Sequence, residues 1–330
     1  MTVRFALFGA GRIGKMHGEN LTRRPDAKLL YVVDSKPEAA GVLAQSLGAK
    51  AATQEQVLAD KNIDAVLIAS STDTHADIAI AAAQAKKAIF CEKPVDLKLE
   101  RVDDTIREVE TAGVPMLVGF NRRFDASFRA LKGQVDAGAV GTIEQVLIVN
   151  RDPGLPDLAF LARSGGLFLD FTIHDFDMAR WLLGEEPVEL FAWGAVLVDP
   201  RVATEGKDID TAMIMMRTPS NKMCHITNTR RAVYGYDQRI EVFGSKGMLR
   251  AENLNPTTVE RFDASGVTAD KPYPGFQSRY DAAYAAELDA FISGVEKGTR
   301  ISPGPRDGRQ VIVLANAAME SYKTGKPVRI

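Results

Sequence analysis

Through the first 120 or so residues, short apolar runs alternate with longer stretches of mixed polarity. The runs VRFALF, AKLLYVVD, DAVLIAS, AIFCEKP and PMLVGF have the length of buried strands. The stretches between them, such as DSKPEAAGVLAQSLG with Pro37 in its first turn, read as helices. Strands separated by helices imply parallel βαβ units. After residue 121 the pattern changes. GTIEQVLIVNRD, VELFAWGAVLV, DTAMIMMRT, KMCHITNTRRA, QRIEVFGSKGMLRAE and TTVERFDASG carry strand-like runs parted by turns such as TPSNK and GSKG. Their order predicts largely antiparallel pairing, and the tail predicts two helices, over Tyr280–Lys297 and Arg306–Thr324.

At 330 residues the chain exceeds the roughly 250–300 at which single cores stop growing, so two domains are expected, over 1–121 and 122–330. A net charge of −2 supplies no basic field for nucleic acid. Neither Cys91 nor Cys224 belongs to a CxxC or metal-finger spacing, and no metal site is expected. No apolar segment is long enough to span a membrane, and the first run is too short for a signal-peptide core. A cytoplasmic protein without nucleic-acid or membrane partners is the expectation.

The first apolar run ends at Gly9, Gly11 and Gly14, a G-x-G-x-x-G between a strand and a helix. The first glycine permits a tight turn, the second lets the backbone approach a pyrophosphate, and the third allows close helix–strand packing. The second run ends at Asp34, twenty residues past Gly14. A carboxylate there suits the ribose hydroxyls of NAD and repels the 2′-phosphate of NADP, although nearby Lys36 weakens that exclusion. Asp34 suits the start of the following helix as well. The fold class is thus α/β, a Rossmann doubly wound parallel sheet followed by an α/β domain with a large, mostly antiparallel open sheet. Ligands of such sheets lie beyond the carboxyl ends of the strands. That rule gathers Arg12, Ile13, Ser35, Ser70, Thr72, His75, Glu92, Lys93 and Asn121 with the glycines and Asp34 as cofactor-binding candidates.

Two stretches carry candidate chemistry. In AIFCEKPV, Pro94 forces the chain to turn and holds Lys93 extended, aiming a compact cation over the crevice. In GGLFLDFTIHDFDMARWLLG, Phe171, Met178, Trp181 and Leu182 recur at helical intervals and Gly184 is a stop. Asp170, His174 and Asp177, spaced i, i+4 and i+7, fall on one face of such a helix. Asp170 can fix the tautomer of His174, leaving the other ring nitrogen to take a hydroxyl proton. A purely structural Asp–His pair fits the same spacing.

GAGRIG, EKP, GFNRRFD, GGLFLDFTIHDFDMARWL and YGYDQRIEVFGSKGML, taken in order over nearly the whole chain, resemble the glucose–fructose oxidoreductase/inositol dehydrogenase (Gfo/Idh/MocA) family, most of all its bacterial inositol dehydrogenases. The resemblance implies NAD-dependent oxidation of a ring alcohol, myo-inositol to scyllo-inosose, with Lys93, Asp170 and His174 catalytic. Scyllo-inositol or an aldose is the alternative substrate, and a non-catalytic NAD-sensing regulator the alternative class. It further implies that Arg123, Asp152, Asp177 and Tyr236 hold substrate and that the chain forms a homotetramer through its second sheet. Relatives can show His-Arg-Asn where this chain has Asn150-Arg151-Asp152, which bears on stereochemical preference.

Overall fold

The computed structural model describes residues 2–330, which fall into two compact units. The first comprises Met1–Asn121 and Tyr284–Ile312, the second Arg122–Ala283 and Val313–Ile330. The break after Asn121 coincides with the change in sequence pattern. The segment 284–312 departs from a contiguous division, because it packs with the first unit.

In the first unit, β1 (Val3–Phe8), β2 (Ala27–Val33), β3 (Lys50–Ala51), β4 (Ala65–Ile68), β5 (Ala88–Glu92) and β6 (Met116–Gly119) form one parallel sheet in the order β3-β2-β1-β4-β5-β6. That is the Rossmann order, with the switch point between β1 and β4. Helices α1 (Arg12–Thr22), α2 (Pro37–Ser46), α3 (Gln54–Ala59), α4 (Thr72–Gln84) and α5 (Leu99–Ala112) connect the strands. β4 and β5 are buried at every position, which is why they read as continuous apolar runs without alternation.

In the second unit, α6 (Ala126–Asp136) follows a 3₁₀ turn over Asn121–Phe124. Then come β7 (Ile143–Arg151), the short α7 (Leu158–Leu161), a π-helical turn over Leu167–Phe171 and α8 (Ile173–Leu183). β8 (Glu189–Ala195), the short α9 (Arg201–Thr204), β9 (Thr211–Arg217), β10 (Met223–Thr229), β11 (Asp237–Gly244) and β12 (Gly247–Ala251) complete most of a seven-stranded sheet. Its order is β12-β11-β7-β10-β9-β8-β15, the last strand being Val328–Arg329. All pairs are antiparallel except β7 with β10, where the chain crosses over through α8. The run TTVERFDASG forms no part of this sheet. It makes a separate hairpin of β13 (Glu260–Asp263) and β14 (Gly266–Ala269). α10 (Phe276–Lys297) and α11 (Pro305–Thr324) are the predicted tail helices.

Strand parity sorts the second sheet cleanly. Ala212, Ile214 and Met216 of β9 are buried, whereas Met213 and Met215 between them are exposed. Trp193 lies opposite Met213, Phe191 opposite Met215, and Met215 opposite His225. The open face thus presents a cross-strand apolar row.

The glycine loop shows steric causes at two positions. Gly9 has φ +107°, and a Cβ there would strike the backbone of Ala69, while a Cβ on Gly14 would strike the Gly9 carbonyl. A Cβ on Gly11 meets no atom within 4 Å. Gly14→Ala should therefore cost about 2 kcal/mol or more of stability, since backbone cannot yield as a side chain does. Gly11→Ala should stay within about 1 kcal/mol, yet weaken dinucleotide binding about tenfold. Thermal melts with and without NAD separate the two effects.

Candidate active site

Around the glycine loop, Asp34 accepts the Ala10 amide at 2.7 Å and the Lys36 amide at 2.8 Å. The carboxylate ties the end of β2 to the loop and steadies the entry to α2. The two roles read from the sequence are compatible, because each carboxylate oxygen keeps a second acceptor position. Gly11, half-in at the start of α1, leaves open space where a pyrophosphate would meet the first-turn amides of that helix. These residues fit NAD: a bare backbone approach at Gly11 and a carboxylate at the end of β2.

Three cofactor candidates have other work. His75 is 2% exposed, and its nitrogens lie 2.8 Å from the Pro94 carbonyl and 3.1 Å from the Ser70 carbonyl. It pins the start of α4 to the loop after β5 and turns neither nitrogen to a ligand, a correction to its expected role. Glu92 is likewise turned inward. Its Oε1 lies 2.7 Å from His17 Nε2, and Oε2 accepts the Lys93 amide at 3.3 Å. Strand alternation sends consecutive side chains to opposite sides, so burying Glu92 turns Lys93, itself part-exposed, the other way. Ser70 Oγ shares a 2.7 Å hydrogen bond with Thr74. Arg12, Ile13, Ser35 and Thr72 are at least part-exposed, whereas Asn121 is buried. The peptide between Lys93 and Pro94 is cis.

In the second unit the π turn begins after Gly165 and Gly166, at φ +87° and +84°. A Cβ on Gly166 would lie 2.8 Å from Asp208 Oδ1, the atom that accepts the Leu167 amide. The double glycine lets Asp208 cap this turn. Asp170 sits in the turn and His174 in the first turn of α8, so the two do not share one uninterrupted α-helix.

Arg230 joins Asp170 to Asp152. Its guanidinium is 3.3 Å from Asp170 Oδ2, 3.6 Å from Asp152 Oδ2, and 5.0 Å from the Phe171 ring centre. Both carboxylates keep about a fifth of their side-chain surface exposed, while Arg230 is fully buried. His174 is half-buried. Beneath this group lies a closed network absent from the sequence reading. Asp175 is 0% exposed and pairs with Arg122 at 2.6 Å. Its other oxygen accepts from Asn150 and Asn228, each at 2.8 Å. Asn150 is held in turn by Gln238 at 2.6 Å, and Asn228 by Thr172 at 2.7 Å. Asn228, Asn150 and Gln238 lie side by side across β10, β7 and β11. Their shared register was the available signal: a polar residue at the same inward parity on three strands.

Three further substrate candidates make internal contacts. Arg123 grips Asp177 with two hydrogen bonds, at 2.8 and 2.6 Å, and Asp177 is 1% exposed. An ionised carboxylate that deep requires such a partner, so this pair anchors α8 rather than presenting two groups to a substrate. Tyr236 is also buried, with its hydroxyl 3.5 Å from Arg122 Nη2 and its ring edge-on to Tyr280. The structure therefore brings Asp152 and Asp170 together through Arg230, and draws Arg123, Asp177 and Tyr236 into supporting contacts.

Residues 3–120 match the model of the oxidoreductase family with an NAD-binding Rossmann fold, and residues 128–250 match the GFO/IDH/MocA C-terminal domain. The chain is 46% identical to the inositol 2-dehydrogenase of Rhizobium meliloti (strain 1021) over 330 residues, covering all of both chains. It superposes with a TM-score of 0.95 on the crystal structure of a myo-inositol dehydrogenase from Corynebacterium glutamicum, at 41% identity, covering 100% of this chain and 99% of that one. A scyllo-inositol dehydrogenase from Lactobacillus casei, solved with bound NAD(H) and scyllo-inositol, is 28% identical with a TM-score of 0.91, again covering 100% and 99%.

Burial raises the Asp152 carboxyl to about 6, against the lowering influence of Arg230, with nearby Asp170 adding to the rise. A carboxyl whose pKa rises on folding takes up a proton as the chain folds. Its contribution is fully present below about pH 4 and is lost as pH climbs through about 6. Relative to Asp152→Asn, the wild type should lose on the order of 1–2 kcal/mol across that window, after allowance for solvent screening. Denaturant unfolding of both proteins from pH 4 to 7 measures the difference.

Proposed function

The chain belongs to the GFO/IDH/MocA oxidoreductase family, and we propose that it oxidises a ring secondary alcohol of an inositol, myo-inositol foremost, to the inosose. It is an NAD-binding oxidoreductase of the inositol 2-dehydrogenase type. The observation that carries the reading is full-length identity of 46% to an inositol 2-dehydrogenase, with Lys93, Asp170 and His174 all present.

NAD, when bound, accepts the hydride. Gly9, Gly11 and Gly14 admit its pyrophosphate, and Asp34 receives the ribose hydroxyls and disfavours a 2′-phosphate, giving NAD precedence over NADP. His174 takes the hydroxyl proton as general base while the carbon–hydrogen bond breaks with its electron pair leaving as hydride. Asp170, steadied by Arg230, supports the imidazolium that forms. Lys93, the third member of the catalytic group that the family resemblance implies, is a compact cation suited to stabilise the negative charge of a developing alkoxide. Asp152 and Asp170 accept from ring hydroxyls. Asn150, where the family resemblance implies that relatives can carry a histidine, is occupied with Asp175 and Gln238, which keeps scyllo-inositol as the second substrate to try.

The open face of the second sheet, with Trp193 62% and Met215 54% exposed, supports self-association, as a homotetramer. A contiguous apolar row on one sheet face is a surface that a second copy covers more readily than water.

NADH formation with myo-inositol, scyllo-inositol and D-glucose tests the substrate, with the highest kcat/KM expected for myo-inositol. His174→Ala should lower kcat by about 10²–10⁴-fold while NAD still binds; near-normal turnover would remove His174 from the mechanism. For assembly, light scattering after size exclusion should report a tetramer for the wild type and a smaller species for Met215→Glu.

A further inference from the structure

Within the first unit, three ionisable side chains meet in a space closed to solvent. His17 comes from α1, Glu92 from the end of β5, and Glu287 from α10, a helix about 190 residues further along the chain. His17 and Glu287 are 0% exposed and Glu92 is 9% exposed. One ligand atom from each lies within 4.8 Å of the others. His17 packs edge-on against Phe90, at 5.1 Å between ring centres, and against Tyr284, at 5.7 Å. Glu92 is bonded to His17, but neither oxygen of Glu287 has a hydrogen-bond partner.

Two ionised carboxylates beside a neutral imidazole would place two negative charges in this apolar enclosure, at a cost of several kcal/mol per uncompensated ion. One proton on Glu287 removes half of that charge. We propose that Glu287 is a neutral acid set beside the His17–Glu92 pair, so that the three side chains form a cluster fixing the strand end that carries Lys93. Burial and then the charge of Glu92 push the Glu287 carboxyl well above the usual range, in the direction the cluster requires. The titratable groups facing Glu287 are His17 from α1 and Glu92 from β5, with Tyr284 one turn earlier on its own helix.

The link to Lys93 is covalent and local. Glu92 Oε2 accepts the Lys93 amide at 3.3 Å. On the other side, a Cβ on Gly119 would lie 2.9 Å from the same oxygen, so β6 has a glycine where that carboxylate needs room. A carboxylate held on both sides leaves the Lys93 backbone little freedom. Glu287 is thus a positioning residue, and this role rests on the reading of Lys93 as the group that touches the alcohol oxygen. A divalent cation would balance the same charge. The 2.7 Å between His17 Nε2 and Glu92 Oε1 is hydrogen-bond contact, whereas two ligands on one tetrahedral zinc stand about 3.3 Å apart. The spacing favours the proton.

Infrared spectra of the full-length protein in H₂O and D₂O test the proton directly. The wild type should show the carbonyl stretch of a protonated carboxylic acid, shifted by deuterium and missing from Glu287→Gln. In kinetics, Glu287→Ala should lower kcat about tenfold or more with the KM for NAD within about twofold. Glu287→Gln, which keeps the shape of the neutral acid, should restore kcat to within about threefold of wild type. Absence of the acid band, a stoichiometric divalent metal in the purified protein, or a Gln variant as slow as the Ala variant would each overturn the proposal. If Glu287→Ala does not fold, the infrared band and the Gln variant still decide. Near-normal turnover in Lys93→Ala would overturn the reading of Lys93, and with it the positioning role, while the infrared band continues to test the proton itself.

Discussion

Complete burial pushes the Asp175 carboxyl up, and Arg122 at 2.6 Å, with two amides on the remaining oxygen, works against that rise. Breaking such a pair by removing one partner typically costs about 3–5 kcal/mol, because it strands the other charge. The network around it runs from α8 through three neighbouring strands to Tyr280, whose hydroxyl donates to Gln238 at 3.2 Å. Every amide in that run has one orientation that satisfies it. The inner face of the second sheet is thereby fixed in register and tilt beneath α8. The π turn and the first turn of α8 can carry Asp170 and His174 among phenylalanines because the polar groups below them are already partnered.

The same logic governs the first unit with different means. Here the anion-binding parts are backbone amides and the side chains serve as braces. Asp34 braces the loop to β2, His75 braces α4 to the turn after β5, and His17 with Glu92 braces α1 to β5. Asp34, His75 and Glu92 are side chains that a motif search assigns to the ligand. A loop that must approach a pyrophosphate cannot hold itself with bulky side chains at the point of approach, so neighbouring positions carry that load. The polar residues near a glycine loop therefore divide into those that meet ligand and those that keep the loop in shape, and burial separates the two.

Much of this was legible in the sequence. Parallel strands covered on both faces appear as unbroken apolar runs, and the order of runs and helices was enough for the first sheet. The second sheet was legible as apolar runs parted by turns, but not the parity that leaves Met213 and Met215 exposed. The rest depended on pairing that one strand does not reveal. Asn150, Asn228 and Gln238 are unremarkable singly, and their meaning lies in being neighbours across β10, β7 and β11. Asp177 was chosen over Asp175 because a straight helix was assumed from Asp170 onward, whereas the double glycine starts a π turn that separates Asp170 from α8. Glu287 was invisible for a third reason. Its helix returns to the first unit after some 160 residues spent in the second, and no local pattern announces that return.

On the proposed reading, selectivity among inositols would follow from which groups are rigid and which are exposed. Stereoisomers of one ring differ in the direction of a hydroxyl, not in volume, so a merely apolar wall discriminates poorly. In the proposed site the groups offered to the ring are Asp152 and Asp170, both bound to one buried arginine. Moving either to follow a misdirected hydroxyl would weaken the compensation of Arg230, whose guanidinium is 1% exposed. A wrong epimer therefore forfeits its own hydrogen bond and disturbs a desolvated ion pair, and these penalties reinforce each other. Two carboxylates sharing one arginine read hydroxyl direction more sharply than two independent carboxylates would.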